Sequence, residues 1–289
     1  MLKPSLPSHA AATLAGGTPA LPLPPAGGSE IVLTPLRPPP ALPELPLWTR
    51  VALEATRTAA REPVLRPRVE ALVLKAATPG RVVAAVLSRT LAGADARLES
   101  LIDDALLVDR AVLAWIEEDL EAVTRRDPAC HSVLHALLHL KGLHALAAHR
   151  VAHSLWTRGR RDAAAWLAHQ ASVTLGVDIH PAAPFGRRVL IDHATGIVVG
   201  ETAVVEDDVS ILHGVTLGAT GKERGDRHPK VRRGASIGAG AQILGNIVLG
   251  RMSRIGAGSV VLRHVPAHAT AVGVPARIVR LRTPQRAAA

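Results

Sequence analysis

From Trp48 to about Val173, apolar residues return at spacings of three and four, as in Leu101, Ala105, Leu106, Leu113, Ile116, Leu120 and Val123. That stripe predicts amphipathic helices packed against one another. Breaks at Pro63, Pro67, Thr78-Pro79-Gly80 and Asp127-Pro128 divide the stretch into several helices. Asp127 followed by proline reads as the N-cap and first turn of one of them. After Gly176 the period changes from 3.6 to six. Ile179, Phe185, Ile191, Ile197, Ala203, Val209 and Val215 form one series, and Val231, Ile237, Ile243, Leu249, Ile255 and Val261 form another. The step from Val215 to Val231 is not a multiple of six, so residues 219–230 must leave the regular coil as an excursion loop.

A six-residue step suits a parallel β-helix, in which each short strand makes one side of a triangular coil and its aliphatic residue points inward. Gly196, Gly200, Gly214, Gly218, Gly238, Gly250 and Gly256 fall at or beside the corners, where a side chain would crowd the next coil. The expected class is α+β, in four parts. Residues 1–45 are a Pro/Ala-rich disordered extension, 46–173 an all-helical domain, 174–276 a β-helix of hexapeptide repeats, and 277–289 a C-terminal tail.

Composition narrows the function. A chain of 289 residues with 48% hydrophobic content can bury a large core. The formal charge of +10 raises the question of an acidic partner. With four Trp, one Phe and no Tyr there is little to stack on exposed bases, so nucleic acid is not expected. No apolar run of roughly eighteen residues suits a membrane span outside the proline-broken N-terminus, so no membrane association is expected. The single cysteine, Cys130, excludes an internal disulfide and agrees with a reducing compartment. Residues 1–45 are poorer in Arg and Ser than an organelle transit peptide would be, which leaves the cytoplasm as the expected location.

Two clusters carry candidate chemistry. Asp192-His193 lies in DHATG, and Asp178 precedes His193 by fifteen residues, three short of an eighteen-residue coil, so the two can meet from adjacent coils. A carboxylate beside an imidazole fixes its tautomer and leaves the other nitrogen free to take a proton. A histidine on a coil can equally be held in place by hydrogen bonds alone. The second cluster, Gly225-Asp226-Arg227-His228-Pro229-Lys230, lies in the excursion loop. Arg227 offers a fork for a carboxylate; the alternative is a solvated basic loop tip.

DIHPAA, DHATGIVVGETA, GDRHPK, IGAGA-x-ILGN and IGAGSVVL together resemble serine O-acetyltransferases, with RDPA, HLKG and GRR adding to the likeness in the helical part. The resemblance runs from about Trp48 to Arg280 and implies a left-handed β-helix. It implies that L-serine and acetyl-CoA are the substrates, with acetyl-CoA a co-substrate and no metal. His193 would be the general base and Asp178 its partner. Asp127 and Asp192 would hold the serine ammonium and Arg227 the carboxylate, with His228 near the reacting oxygen. Acetyl-CoA would lie along Gly218, Ala219, Ala239 and Ala257, with Lys222 and Arg254 near its phosphates. The resemblance further implies a homotrimer, joined into a dimer of trimers by the helical domain, with each site between neighbouring β-helices.

Two departures from the family stand out. Ala219 replaces the second glycine of the usual GGTGK, and the chain ends RTPQRAAA where many members carry an acidic tail with a terminal isoleucine that enters O-acetylserine sulfhydrylase. That complex is therefore in doubt. Two rival readings come from other classes. One is a β-helix zinc enzyme of the carbonic anhydrase type, using His193, His213 and His228; the other is a noncatalytic scaffold. His131, His135 and His139 share a helical face but span too far for one ion, so packing or surface roles are expected.

Overall fold

The computed structural model describes residues 45–92, 95–222 and 224–281. All but the last residue of the expected N-terminal extension, and residues 282–289 of the tail, lie outside the described residues. The helical region contains α1 (Leu47–Arg61), α2 (Arg66–Val69), continued by a π-helical turn (Glu70–Leu74), α3 (Pro79–Ala92), α4 (Ala96–Val108) and α5 (Arg110–Arg126). After these come α6 (Val133–His139), α7 (Lys141–Thr157) and α8 (Arg161–Leu175). Side-chain caps set two of the starts. Asp95 accepts the Arg97 amide at 2.8 Å, and Ser132 accepts the His135 amide at 3.0 Å.

The helix expected to begin at Pro128 does not. Asp127 is instead the C-cap of α5, its carboxylate accepting the Ala129 amide at 2.8 Å in a local turn. Ser132, whose hydroxyl reaches the third amide ahead, makes the better cap and delays the helix by five residues. Among the helices α7 is the central one, buried on nearly every side from Gly142 to Leu155.

Gly176 ends α8 in the left-handed conformation, with φ 66°, and turns the chain into a three-sided prism. One face is a five-stranded sheet in the order β1 (Val177–Ile179), β3 (Ile197–Val199), β6 (Thr216–Gly218), β9 (Gln242–Leu244), β12 (Val260–Val261). The second holds β4 (Val204–Val205), β7 (Lys230–Val231) and β10 (Val248–Leu249). The third holds β2 (Leu190–Asp192), β5 (Ser210–Leu212), β8 (Ser236–Ile237), β11 (Arg254–Ile255) and β13 (Ala269–Gly273), closed by the antiparallel β14 (Ala276–Leu281). All other pairings between these strands are parallel, and the prism is a left-handed β-helix. Strand β14 runs through the boundary expected at residue 277, so regular structure continues to Leu281.

Every residue of both six-residue series is buried, but the first series changes role part-way. Val177 pairs with Ile197, twenty residues on, whereas Val198 pairs with Thr216, eighteen on. Two residues are therefore inserted between β2 and β3, and after them the periodic aliphatics fall two residues earlier in the strand, at the preceding inward position. A second insertion is larger: Thr216 pairs with Gln242, twenty-six on, so the excursion loop adds eight residues to one coil. Beyond it the eighteen-residue step returns, as in Gln242 to Val260. Inward-facing residues such as Ile211, Leu217, Ile237 and Ile243 are fully buried. Each contributes on the order of 1.5–3 kcal/mol by leaving water.

One apolar core runs from α3 and α4 through α7 and α8 into the prism. A buried ion pair crosses the seam. Arg150 of α7 meets Asp119 of α5 through two nitrogens and also donates to the Gly186 carbonyl at 2.6 Å, while Asp119 accepts the Val189 amide at 3.1 Å. Burial pushes the Asp119 carboxyl up, to about 6, against the pull of Arg150. Satisfying every partner is what makes such a pair tolerable at 2% and 1% exposure.

Candidate active site

The two-residue insertion contains the candidate base. At the regular corners one strand-end residue is followed by one residue and then a glycine, as in Leu212-His213-Gly214. The amides of Gly214, Gly240 and Gly258 donate to the carbonyls of Thr195, His213 and Ala239 in the coil before, all at 2.8 Å. Asp192 is in register with Leu212, yet Gly196 arrives only after His193, Ala194 and Thr195. The extra residues are His193 and Ala194, both left-handed at φ 56° and 60°. Non-glycine residues held there cost of order 1 kcal/mol each and gather at functional sites. Ala194 is fully buried, which turns the His193 side chain outward to 74% exposure.

Helices enclose this corner. A cleft of about 400 Å³ lies between the end of α5, the α6–α7 junction and β2, lined by Asp127, His135, His139, Lys141, Asp192, His193 and Thr195 among others. Gly142 allows α7 to lie against the β2 backbone, since a Cβ there would stand 1.9 Å from the Ile191 carbonyl oxygen. Beside it Lys141 donates to the Thr195 hydroxyl, which in turn donates to the His193 carbonyl at 3.4 Å. The carboxylate nearest His193 is Asp192, with Oδ1 3.6 Å from Nε2. The edge of the His213 ring meets His193 from the next coil, the centroids 5.8 Å apart.

Asp178 makes no such contact among the described residues. It stands on the outward, exposed face of β1, in register with Val198, because the coil between them has twenty residues and not the eighteen assumed from the repeat. The insertion shifts His193 by two residues relative to the place an eighteen-residue coil would give it.

The second cluster lies at the opposite edge of the five-stranded sheet, where β6 leads into the excursion loop. His228 is buried and tied to Thr202: Nδ1 accepts the Thr202 amide at 3.2 Å and faces its hydroxyl at 2.8 Å. The Thr202 hydroxyl accepts the amides of Arg227 and His228 at 3.0 and 3.1 Å, so its own proton points to Nδ1. That leaves Nε2 as the protonated, donating nitrogen. Burial, followed by the charges of Arg227 and Lys230, holds the His228 pKa below its ordinary value and favours the neutral ring. The ring packs on Gly200, where a Cβ would lie 2.0 Å from Nε2. Arg227 Nη2 donates to Glu201 at 2.9 Å, and this contact holds the Glu201 carboxyl below the usual range. Lys230 and Asn246 pin Asp226 and close the loop.

The candidate acetyl-CoA residues divide between the same two edges. Ala239 and Ala257 continue the column of Thr195 and His213, while Gly218, Ala219 and Lys222 open the excursion loop on the Arg227 side. Arg254 is exposed on β11, on a different face. Lys141, Thr195, Glu201 and Thr202 were not singled out from the sequence, although all four lie inside the motifs HLKG and DHATGIVVGETA.

Residues 47–148 match the family profile described as "Serine acetyltransferase, N-terminal". Over 236 residues the chain is 51% identical to a serine acetyltransferase of Salmonella typhimurium, covering 81% of this chain and 86% of that one. The chain belongs to the serine acetyltransferase family. Its fold matches the serine acetyltransferase of Brucella abortus in complex with coenzyme A at TM-score 0.79 and 46% identity, over 81% of this chain and 95% of that one. It matches the soybean serine acetyltransferase complexed with serine at TM-score 0.78 and 47% identity, over 81% and 97%.

Family membership sets aside both rival readings. Among the described residues no group of three or more His, Cys, Asp or Glu side chains is placed to hold a metal ion, and no helix is long and apolar enough to cross a membrane.

Proposed function

We propose that this member of the serine acetyltransferase family moves the acetyl group of acetyl-CoA to the hydroxyl of L-serine with His193 as general base. The imidazole takes the serine Oγ proton while Oγ attacks the thioester carbonyl. Collapse of the tetrahedral intermediate breaks the carbon–sulfur bond, and the imidazolium returns the proton to the departing thiolate, giving O-acetylserine and CoA. Asp127 and Asp192, which face the same cleft, hold the ammonium group. Arg227 takes the carboxylate in a two-pronged contact. His228, neutral and donating through Nε2, serves the developing oxyanion. Asp178 closes on His193 when the exposed ring turns toward β1.

The observation that carries this reading is the division of the groups between two edges of one sheet. The edges are separated by a three-residue strand, roughly 10 Å. Serine is too short to span them within one chain. A neighbouring copy can bring its Arg227 edge to the His193 edge of the first, so the working unit is a homotrimer with sites at its seams, paired into a dimer of trimers through the helices. Acetyl-CoA then runs along the seam past Gly218, Ala219, Ala239 and Ala257, with Lys222 and Arg254 toward its phosphates. The protein is assigned to the cytoplasm.

Thiol release from acetyl-CoA should occur with serine, weakly with homoserine and not with alanine, which lacks the hydroxyl. Replacing His193 by Ala should lower turnover with serine at least about a hundredfold, the scale of a lost general base. Its exposure means that the thermal midpoint should hardly move. Turnover equal to wild type in that variant rejects His193 as the base.

A further inference from the structure

Asp127 and Asp192 come from unrelated parts of the chain, one from a helix end and the other from a coil, so something must fix the distance between them. Arg126 does this. Its Nη1 donates to the Arg188 carbonyl at 2.8 Å, and its Nη2 donates to the Asp208 carbonyl at 3.3 Å and to the Ser210 hydroxyl. Arg188 and Asp208 are left-handed corner residues of the first two coils, at φ 55° and 62°. Ion pairs hold both from outside: Arg188 to Asp208 at 2.7 Å and to Glu118 of α5 at 2.9 Å, and Arg233 to Asp208 at 2.9 Å. Ser210 lies on β5 opposite Leu190 of β2, the strand that ends in Asp192. The guanidinium therefore grips the carbonyls of a rigid corner and the strand pair that carries the catalytic edge. Its own backbone leads directly into Asp127, whose amide is still bonded to Val123 of α5.

We infer that Arg126 is a positioning residue for the amino-acid substrate: by locking the end of α5 onto the first two coils, it sets the reach from Asp127 to Asp192 and His193. The inference rests on the reading of Asp127 as an ammonium ligand. Lysine cannot replace it fully, because a single ammonium cannot hold two diverging carbonyls and a hydroxyl as a planar fork does.

Steady-state kinetics on the full chain, with serine and acetyl-CoA varied separately, test it in R126A, R126K, S210A and D127N. R126A should raise the serine KM about tenfold or more, with kcat at saturating serine and the acetyl-CoA KM within about twofold of wild type. R126K should recover part of the loss, and S210A should shift the serine KM the same way by a smaller factor. A lowered thermal midpoint with an unchanged serine KM would reduce Arg126 to a structural tie and overturn the inference. So would equal losses in all three parameters that R126K does not relieve. Should R126A not fold, R126K and S210A carry the test, and an unchanged serine KM in both rejects the inference. D127N separates the two readings: if it leaves the serine KM unaltered, the ammonium assignment fails; if it raises that KM while the Arg126 and Ser210 variants do not, only the positioning role fails.

Discussion

The two edges of the five-stranded sheet depart from the eighteen-residue coil in different ways. At the His193 edge two residues are inserted, both are left-handed, and the side chain stands in solvent. Its support comes from outside the prism, through Gly142, Lys141 and Asp127 on helices. At the His228 edge eight residues are added, the imidazole is buried, and support comes from within, through Thr202 and Gly200 of the preceding coil. A stacked coil offers identical corners with no room for chemistry. Each insertion breaks that equivalence, the short one by forcing a side chain outward and the long one by folding a loop back onto the neighbouring coil. Helix α7 touches both edges, lying on β2 at the first and meeting the first coil through His149 and His153 at the second, but only the second has an excursion loop that carries its own fastening.

The sharpest way to break this contrast is to add one methyl to each edge. In Gly142→Ala the new Cβ meets a backbone oxygen, and neither partner can yield without moving α7 from β2. Overpacking of this kind costs on the order of 1–3 kcal/mol, so the thermal midpoint should fall together with activity. In Gly200→Ala the Cβ meets the His228 ring, which can swing toward the loop. Turnover should then fall about a hundredfold for a displacement near 1 Å, with a smaller loss of stability. Calorimetry and initial rates on both variants decide the matter. Wild-type turnover in Gly200→Ala removes His228 from the site, and an unaltered midpoint in Gly142→Ala means that α7 does not brace the His193 corner.

How much of this was legible in the sequence differs along the same division. The six-residue step marked the prism, and the broken step between Val215 and Val231 marked the excursion loop, because inward positions admit only apolar residues and any insertion shifts their count. The smaller insertion at His193-Ala194 was invisible. A slip of two moves the aliphatic series from one inward position to the next, so Ile191 and Ile197 still read as six apart although they occupy different places in the coil. That slip changes the path from Asp178 to His193, which the spacing argument took through a regular eighteen-residue coil. Asp127 was placed correctly near a helix end but at the wrong terminus, since Asp-Pro favours a cap equally well where one helix stops. Lys141, Arg126 and Thr202 act through contacts between residues tens of positions apart, and no spacing rule reports those.

Acid should loosen the contact of α7 with the first coil, on the His228 edge. His149 of α7 is buried against Phe185, its Nε2 donating to the Ala183 carbonyl at 3.0 Å and its Nδ1 without a partner among the described residues. Burial, with His153, Arg150 and His180 nearby, drives its pKa down to about 3. The unfolded chain takes up this proton near pH 6.5 and the native state does not until far lower, so the neutral ring favours folding fully above that pH and progressively less below it. The slope is about 1.4 kcal/mol per pH unit, or roughly 2 kcal/mol between pH 6.5 and 5. His228, depressed for the same reason, adds in the same direction. Thermal midpoints across this range should fall for wild type and flatten in His149→Gln, which keeps a donor for Ala183. Parallel curves for the two proteins contradict the assignment.

The smallest effect is expected at Glu201. Its carboxylate aims Arg227 through one contact at 2.9 Å between partly exposed partners, a pair worth no more than about 1 kcal/mol. Glu201→Gln should therefore leave the fold almost as stable while freeing the guanidinium to wander. The resulting rise in serine KM is bounded by the same energy, at most about fivefold. Because the pair is accessible to ions, the gap between wild type and variant should close near 1 M salt, where charges are screened within about 3 Å. The Lys141 contact at the other edge ends on a neutral hydroxyl, so Lys141→Met should differ from wild type by a margin less sensitive to salt. If salt leaves the Glu201 gap intact, the carboxylate acts through packing, and the two edges are fastened by the same kind of contact after all.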